Sequence, residues 1–208
     1  MSQTLQIDVN LELPVMEQFL TIQGEGAFTG SAAYFIRLGG CDVGCTWCDV
    51  KESWPADAHP ILKISDLVSA AKNSGAEIVV ITGGEPLMYD LSSFTSQLKA
   101  AGLRTHVETS GTTPFTGIWD WICFSPKRFK KPLEDYYESA QELKVVINHR
   151  NDFRWAESHA NKVSSNCELF LQPEWDQANE ILPLIIEYVK ENPAWRISLQ
   201  THKYLQIP

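Results

Sequence analysis

The sequence predicts an α/β chain with a parallel sheet: a shortened, partly open (β/α) barrel in one domain over residues 1–208. Three observations lead there. Short β-branched or aromatic runs alternate with segments of helical periodicity, the pattern of right-handed β-α-β crossovers. The 208 residues fall short of the roughly 250 that a complete eight-fold barrel takes. The unusual polar and glycine-rich clusters also fall just after the strand runs, where parallel sheets place their chemistry.

Strands are expected at 33–38, 78–81, 104–107, 121–124, 143–147, 168–171 and 196–199. Ser65 is expected to cap a helix carrying Leu67, Val68 and Ala71 and closed by Gly75. A second helix starts at Leu91, lines up Leu91, Phe94, Leu98 and Ala101 on one face, and ends at Gly102. A third carries Ile181, Leu182, Ile185, Ile186 and Val189 ahead of Pro193, and Pro183 should kink or displace its first turn. No repeat, low-complexity tract or linker divides the chain.

Composition narrows the class. Hydrophobic residues at 44% and charged residues at 21% are ordinary for a soluble globular protein. No basic flank precedes an apolar run, and no apolar stretch is long enough to span a bilayer, so a cytoplasmic protein without membrane contact is expected. The formal charge of −9 argues against direct nucleic-acid binding and for a small-molecule partner. The densest basic run, Lys127-Arg128-Phe129-Lys130-Lys131, reads as a solvated loop.

Five cysteines cannot all pair, and Cys41, Cys45 and Cys48 crowd together, which points to metal or redox chemistry. The spacing Cys41-x3-Cys45-x2-Cys48 lets one loop wrap a small inorganic core, with Gly39, Gly40 and Gly44 supplying backbone freedom. Three local thiolates suit a [4Fe–4S] cube with one iron left for another ligand. A zinc site is the alternative, although it wants a fourth ligand that the neighbourhood does not offer. Cys123 and Cys167 read as buried structural residues.

The other strand-end clusters belong with this loop. They are Thr82-Gly83-Gly84-Glu85-Pro86, Glu108-Thr109-Ser110-Gly111, Ser125-Pro126-Lys127, Gln172-Pro173 and Gln200-Thr201-His202. Six clusters on one rim describe a site.

The cysteine spacing with Trp47 before its last member, and the Gly-Gly-Glu-Pro turn some forty residues on, resemble the radical S-adenosylmethionine (SAM) superfamily. Finer features resemble one of its families, the 7-carboxy-7-deazaguanine synthases of queuosine and deazapurine biosynthesis. These are Thr21-Ile22-Gln23-Gly24-Glu25-Gly26, Arg37 four residues before Cys41, Ser125-Pro126-Lys127, and the ending Gln200-Thr201-His202-Lys203-Tyr204-Leu205.

The resemblance implies a barrel of the radical SAM type and a ring contraction of 6-carboxy-5,6,7,8-tetrahydropterin to 7-carboxy-7-deazaguanine with loss of ammonia. A deoxyadenosyl radical from SAM would remove the hydrogen at C6, with magnesium assisting. It further implies a homodimer and a reductant such as flavodoxin or ferredoxin.

Site residues follow from the same resemblance. Ile22, Gln23, Gly24, Glu25, Arg37, Thr82 and the carboxylate of Pro208 would line the substrate pocket. Trp47, Cys48, Asp49, Gly84, Glu85, Ser125, Pro126, Lys127 and Gln172 would contact SAM. Arg37 suits the 6-carboxylate, with an edge-strand surface charge as the alternative; Glu25 suits the pterin N–H edge, or is a turn residue. Lys127 could meet a carboxylate or ribose, or simply be solvated. His202 reads equally as a packed histidine and as a substrate ligand.

One position departs from the family pattern. Many members carry threonine after the Cys-Asp pair, where its hydroxyl helps hold magnesium, and here Val50 follows Asp49. Valine offers no side-chain oxygen, so a weaker magnesium requirement is expected. Two rivals share parts of the pattern: an activase that places a glycyl radical on a partner protein, and a non-enzymatic iron–sulfur electron carrier. The first would not need the C-terminal motif, and the second leaves the free iron site and the strand-end clusters unexplained.

Overall fold

Alternation along the strands sorts the chain into a helix-covered outside and a polar inside. A computed structural model describes residues 11–208; the expectation of no N-terminal leader turns on residues 1–10, outside the described residues. The strands are β1 (Glu12–Ile22), β2 (Ala32–Leu38), β3 (Ile61–Lys63), β4 (Ile78–Gly83), β5 (Arg104–Thr109), β6 (Trp121–Phe124), β7 (Glu142–Ile147), β8 (Glu168–Pro173) and β9 (Trp195–Ile197). Among the described residues they form one sheet in the order β3-β1-β2-β4-β5-β6-β7-β8-β9.

From β2 to β9 every neighbour is parallel, while β1 runs antiparallel to both β2 and β3. The sheet curls until the turn after β1 meets the segment that follows β9. The Gly26 amide donates to Ser198 Oγ at 2.9 Å, and the Thr201 amide to the Gly24 carbonyl at 2.9 Å. Because β3 and β9 do not pair, the barrel stays partly open.

The helices are α1 (Ile64–Asn73), α2 (Ser92–Ala100), α3 (Asp135–Ser139), α4 (Asp152–Ala160), α5 (Ala178–Glu191) and α6 (Thr201–Leu205). Ile64, Leu67 and Ala71 of α1, Phe94 and Leu98 of α2, and Ile181 and Ile185 of α5 bury one stripe each. They join the outward residues Ile36, Ile81, Val107, Val145 and Leu171 in the main core. Ala33, Ile78 and Val80 form a second apolar plug on the inward face, with Phe28 and Phe35 against it. Toward the carboxyl ends the inward positions turn polar.

The seven expected strands are present, with ends shifted by up to two residues. Three readings need correction. Ser65 does not cap α1: β3 runs straight into the helix, Lys63 takes the cap position, and the Ser65 hydroxyl sits inside the first turn. Pro183 does not interrupt α5, which runs from Ala178 to Glu191 with the proline in its sixth position, where its missing N–H costs the bond to the Asn179 carbonyl. The strand carrying Arg37 is internal, with β1 outside it.

Candidate functional site

The cysteine loop is pinned where it leaves β2. The Gly40 amide donates to the Ser53 carbonyl at 2.7 Å and the Cys41 amide to Trp54 at 3.1 Å. From β4 the Glu85 amide reaches the Gly40 carbonyl at 2.8 Å. A Cβ on Gly84 would stand 2.2 Å from that same carbonyl oxygen, so only glycine lets the two turns approach this closely. Gly40 itself has φ +104°, a left-handed geometry that favours glycine.

Cys45 is buried and Cys41 and Cys48 half-buried, all three facing one cavity. Burial pushes the Cys41 thiol up, and Cys45 up to about 11, so thiolates here need a bound cationic core. Among the described residues no three His, Cys, Asp or Glu side chains converge as a single metal ion requires. Three thiols on one wall without such convergence fit a [4Fe–4S] core, where each thiolate meets a different iron, better than zinc.

The cavity measures about 360 Å³, in the range of small-molecule sites. Arg37 from β2, Thr82 from β4, Glu108 from β5, Lys144 from β7 and Gln172 from β8 face it from inward positions. Arg37 gives its Nε to Glu17 Oε1 at 2.6 Å. Lys144 Nζ lies 2.5 Å from Glu25 Oε2 and 3.1 Å from Glu108 Oε2. Gln200 Nε2 donates to the second oxygen of Glu25 at 3.0 Å, and Gln23 Nε2 to that of Glu108 at 3.0 Å. Burial alone would raise Glu25 and lower Lys144, but their attraction outweighs it, leaving Glu25 below and Lys144 well above their ordinary values.

Lys127 Nζ is held by the Ser125 carbonyl at 2.7 Å and its hydroxyl at 2.6 Å, and it faces the cavity rather than solvent. Burial lowers its pKa. Asp49 sits at the mouth, bonded by Lys203 at 3.0 Å and Gln200 at 3.2 Å. Burial raises its carboxyl, yet these donors outweigh burial and hold it below the ordinary value. His202 packs on Gly24, where a Cβ would meet its Nδ1 at 2.3 Å, and burial lowers its pKa. The Pro208 carbonyl accepts from Thr21 Oγ1 at 3.0 Å.

The expected pocket residues Ile22 to Glu25, Arg37, Thr82 and Pro208 all line this cavity. So do Trp47 to Asp49, Gly84, Ser125, Lys127 and Gln172. Glu85 and Pro126 are buried and do not. The Glu85 carboxylate is taken up by Leu87 N at 3.2 Å, Thr109 Oγ1 at 2.6 Å, and the amide and hydroxyl of Ser110. In this arrangement it anchors the turn.

Sequence reasoning named no role for Lys144 and noted Glu108 only as part of a strand end. Within Glu142–Ile147 the lysine looks like one solvent-facing break in an apolar run. The available signal was Glu142 and Lys144 two residues apart, on one face of a strand buried on both sides.

Residues 35–154 match the family model described as the radical SAM superfamily. The chain is 54% identical to the 7-carboxy-7-deazaguanine synthase of Flavobacterium psychrophilum, covering 99% of each chain. It is 49% identical to that of a Synechocystis species, over 96% of this chain and 95% of the relative. Its fold is similar to the crystal structure of QueE from Escherichia coli, with a TM-score of 0.82 and 32% identity over 91% of this chain and 94% of that one.

Proposed function

Because this chain belongs to the 7-carboxy-7-deazaguanine synthase family of the radical SAM superfamily, we propose that its cavity contracts 6-carboxy-5,6,7,8-tetrahydropterin to 7-carboxy-7-deazaguanine with loss of ammonia. The observation that carries this is the convergence of Cys41, Cys45 and Cys48 with polar residues from five parallel strands on one cavity. A [4Fe–4S] cluster on these cysteines and SAM, when bound, supply a radical able to abstract hydrogen.

The chain's own residues bind and orient. Among the described residues Glu17 holds only the Nε of Arg37, which leaves the outer guanidinium N–H groups for the 6-carboxylate of the substrate. Glu25 presents an ionised acceptor to the 2-amino and ring N–H donors of the pterin, with Thr82 and the Pro208 end beside it. Ser125 aims the Lys127 ammonium into the cavity, where its remaining donor suits a carboxylate or ribose oxygen of SAM. Trp47 and Trp175 on the cavity wall exclude water.

Magnesium, when bound, would be held by substrate and water oxygens with Asp49 nearby, since Val50 offers no side-chain oxygen. The family resemblance carries a homodimer and an external reductant such as flavodoxin or ferredoxin, in the cytoplasm. No helix among the described residues is long and apolar enough to cross a membrane.

The test is anaerobic turnover of reconstituted protein with SAM, a reductant, magnesium and 6-carboxytetrahydropterin, read by mass spectrometry. 7-Carboxy-7-deazaguanine is expected. 5′-Deoxyadenosine without that product would keep the radical chemistry and remove the substrate.

A further inference from the structure

Lys144 is a buried ammonium on the cavity wall, bonded at once to Glu25 and Glu108. Those carboxylates arrive from different places, the turn after β1 and the end of β5, and each has one oxygen on Lys144 and the other on a glutamine amide. Each carboxylate oxygen has two lone pairs and meets one donor here, so acceptor capacity remains on both groups. The trio carries a net charge of −1 in a half-enclosed cavity. Without the ammonium, two carboxylates would crowd one site, and like charges so placed raise a carboxyl pKa by units.

We propose that Lys144 is the positioning residue of the substrate cavity: it holds Glu25 and Glu108 together as a pair of acceptors for the N–H donors of a pterin. The inference rests on the pterin reading and deepens it. Through both carboxylates Lys144 links the first turn, β5 and β7, and through Gln200 and Gln23 the network reaches both ends of the curled sheet.

Other groups could mimic or blunt this effect. His202 faces Glu25 from α6, and Cys123 of β6, Glu142 of β7 and Lys127 of the following loop surround the lysine. Of these, His202 is held below its ordinary value by burial, and the Cys123 thiol is pushed well up by burial and by Glu142. Neither supplies a cation that could replace Lys144, and the Lys127 ammonium is held on the Ser125 carbonyl and hydroxyl.

The test is equilibrium binding of 6-carboxypterin, a ligand that cannot turn over, between pH 5.5 and 7.5. Wild type and K144R should vary by less than about threefold, whereas K144M should lose about tenfold or more at the acid end as a carboxylate takes up a proton. In K144M/E108Q, with one acid removed, the slope should shrink again. A K144M profile parallel to wild type, whatever its absolute affinity, overturns the proposal, as does failure of K144R to restore the flat profile. A steep wild-type profile overturns it too, without recourse to any variant. If the wild type does not bind 6-carboxypterin at all, the pterin reading falls and takes this inference with it; binding with no effect of K144M removes the inference alone.

Discussion

Glu85 and Ser110 are joined twice, the amide donating to the carboxylate at 2.8 Å and the hydroxyl at 2.5 Å. Thr109 and the Leu87 amide complete the set, and the Glu85 amide holds the Gly40 carbonyl beside Cys41. One buried acid thus ties the end of β5 and the turn after β4 to the cysteine loop.

Removing that acid should therefore cost stability before chemistry. Glu85→Ala leaves several buried donors unpaired, for a loss of about 3–5 kcal/mol. Glu85→Gln keeps the volume and one carbonyl acceptor and should cost about half as much. Urea denaturation of the two variants measures both. A loss below about 1 kcal/mol in Glu85→Ala would mean that the four bonds do not anchor the turn.

Val50→Thr restores a hydroxyl beside Asp49 at the cavity wall. Turnover of the natural chain should depend only shallowly on magnesium, and the variant should show a steeper, saturating dependence with a larger total stimulation. Titrating magnesium in parallel decides it. Equal dependence in the two proteins would show that the metal takes no ligand from this position.

The chemistry was more legible than the scaffold. Cysteine spacing and strand-end clusters are local patterns, and local patterns named most of the cavity's lining, though not Lys144, Phe35 or Trp175. β1 was missed although it is the longest strand, because Glu17, Gln18 and Pro14 dilute its apolar signal and its pairing to β2 is a long-range fact. The surroundings of Glu85 were hidden for a related reason. A motif fixes that an acid stands at a turn, but only the fold shows that Thr109 and Ser110 occupy its oxygens. Lys144 was missed because which face of a buried strand points inward is decided by the curl of the sheet.

Acid should weaken the fold through two histidines. His106 and His159 are buried, and burial lowers each to about 4, against an ordinary value of 6.5. His106 Nε2 has no hydrogen-bond partner among the described residues, and His159 Nδ1 meets the Tyr137 hydroxyl at 2.7 Å. Between pH 6.5 and 4 the unfolded chain binds protons that the folded chain refuses, so stability falls as pH falls, by roughly 2 kcal/mol for each histidine across that window. Glu142, raised by burial, works in the opposite sense over part of the range. His106→Leu should remove about half of the loss in urea midpoints measured across these pH values; an unchanged slope would rule His106 out as its source.

Electron delivery offers a last test, because the basic loop dismissed by composition lies against the cysteine loop. Phe129 meets the Trp47 ring edge-on at 5.9 Å, and Lys130 pairs with Asp42 at 2.7 Å. Lys131 is exposed beside them, and Arg128, half on Asp152, continues the strip. In a chain of formal charge −9 this loop gathers basic residues beside the cysteine loop, a place where an acidic carrier protein would be steered. Reversing two of them in K130E/K131E should slow reduction by flavodoxin about tenfold at low salt, a difference that narrows as salt screens the field. Dithionite, small and unguided, should reduce both proteins alike. If the variant slows equally with both reductants, the substitution has damaged the cluster site; if it slows with neither, the carrier docks elsewhere.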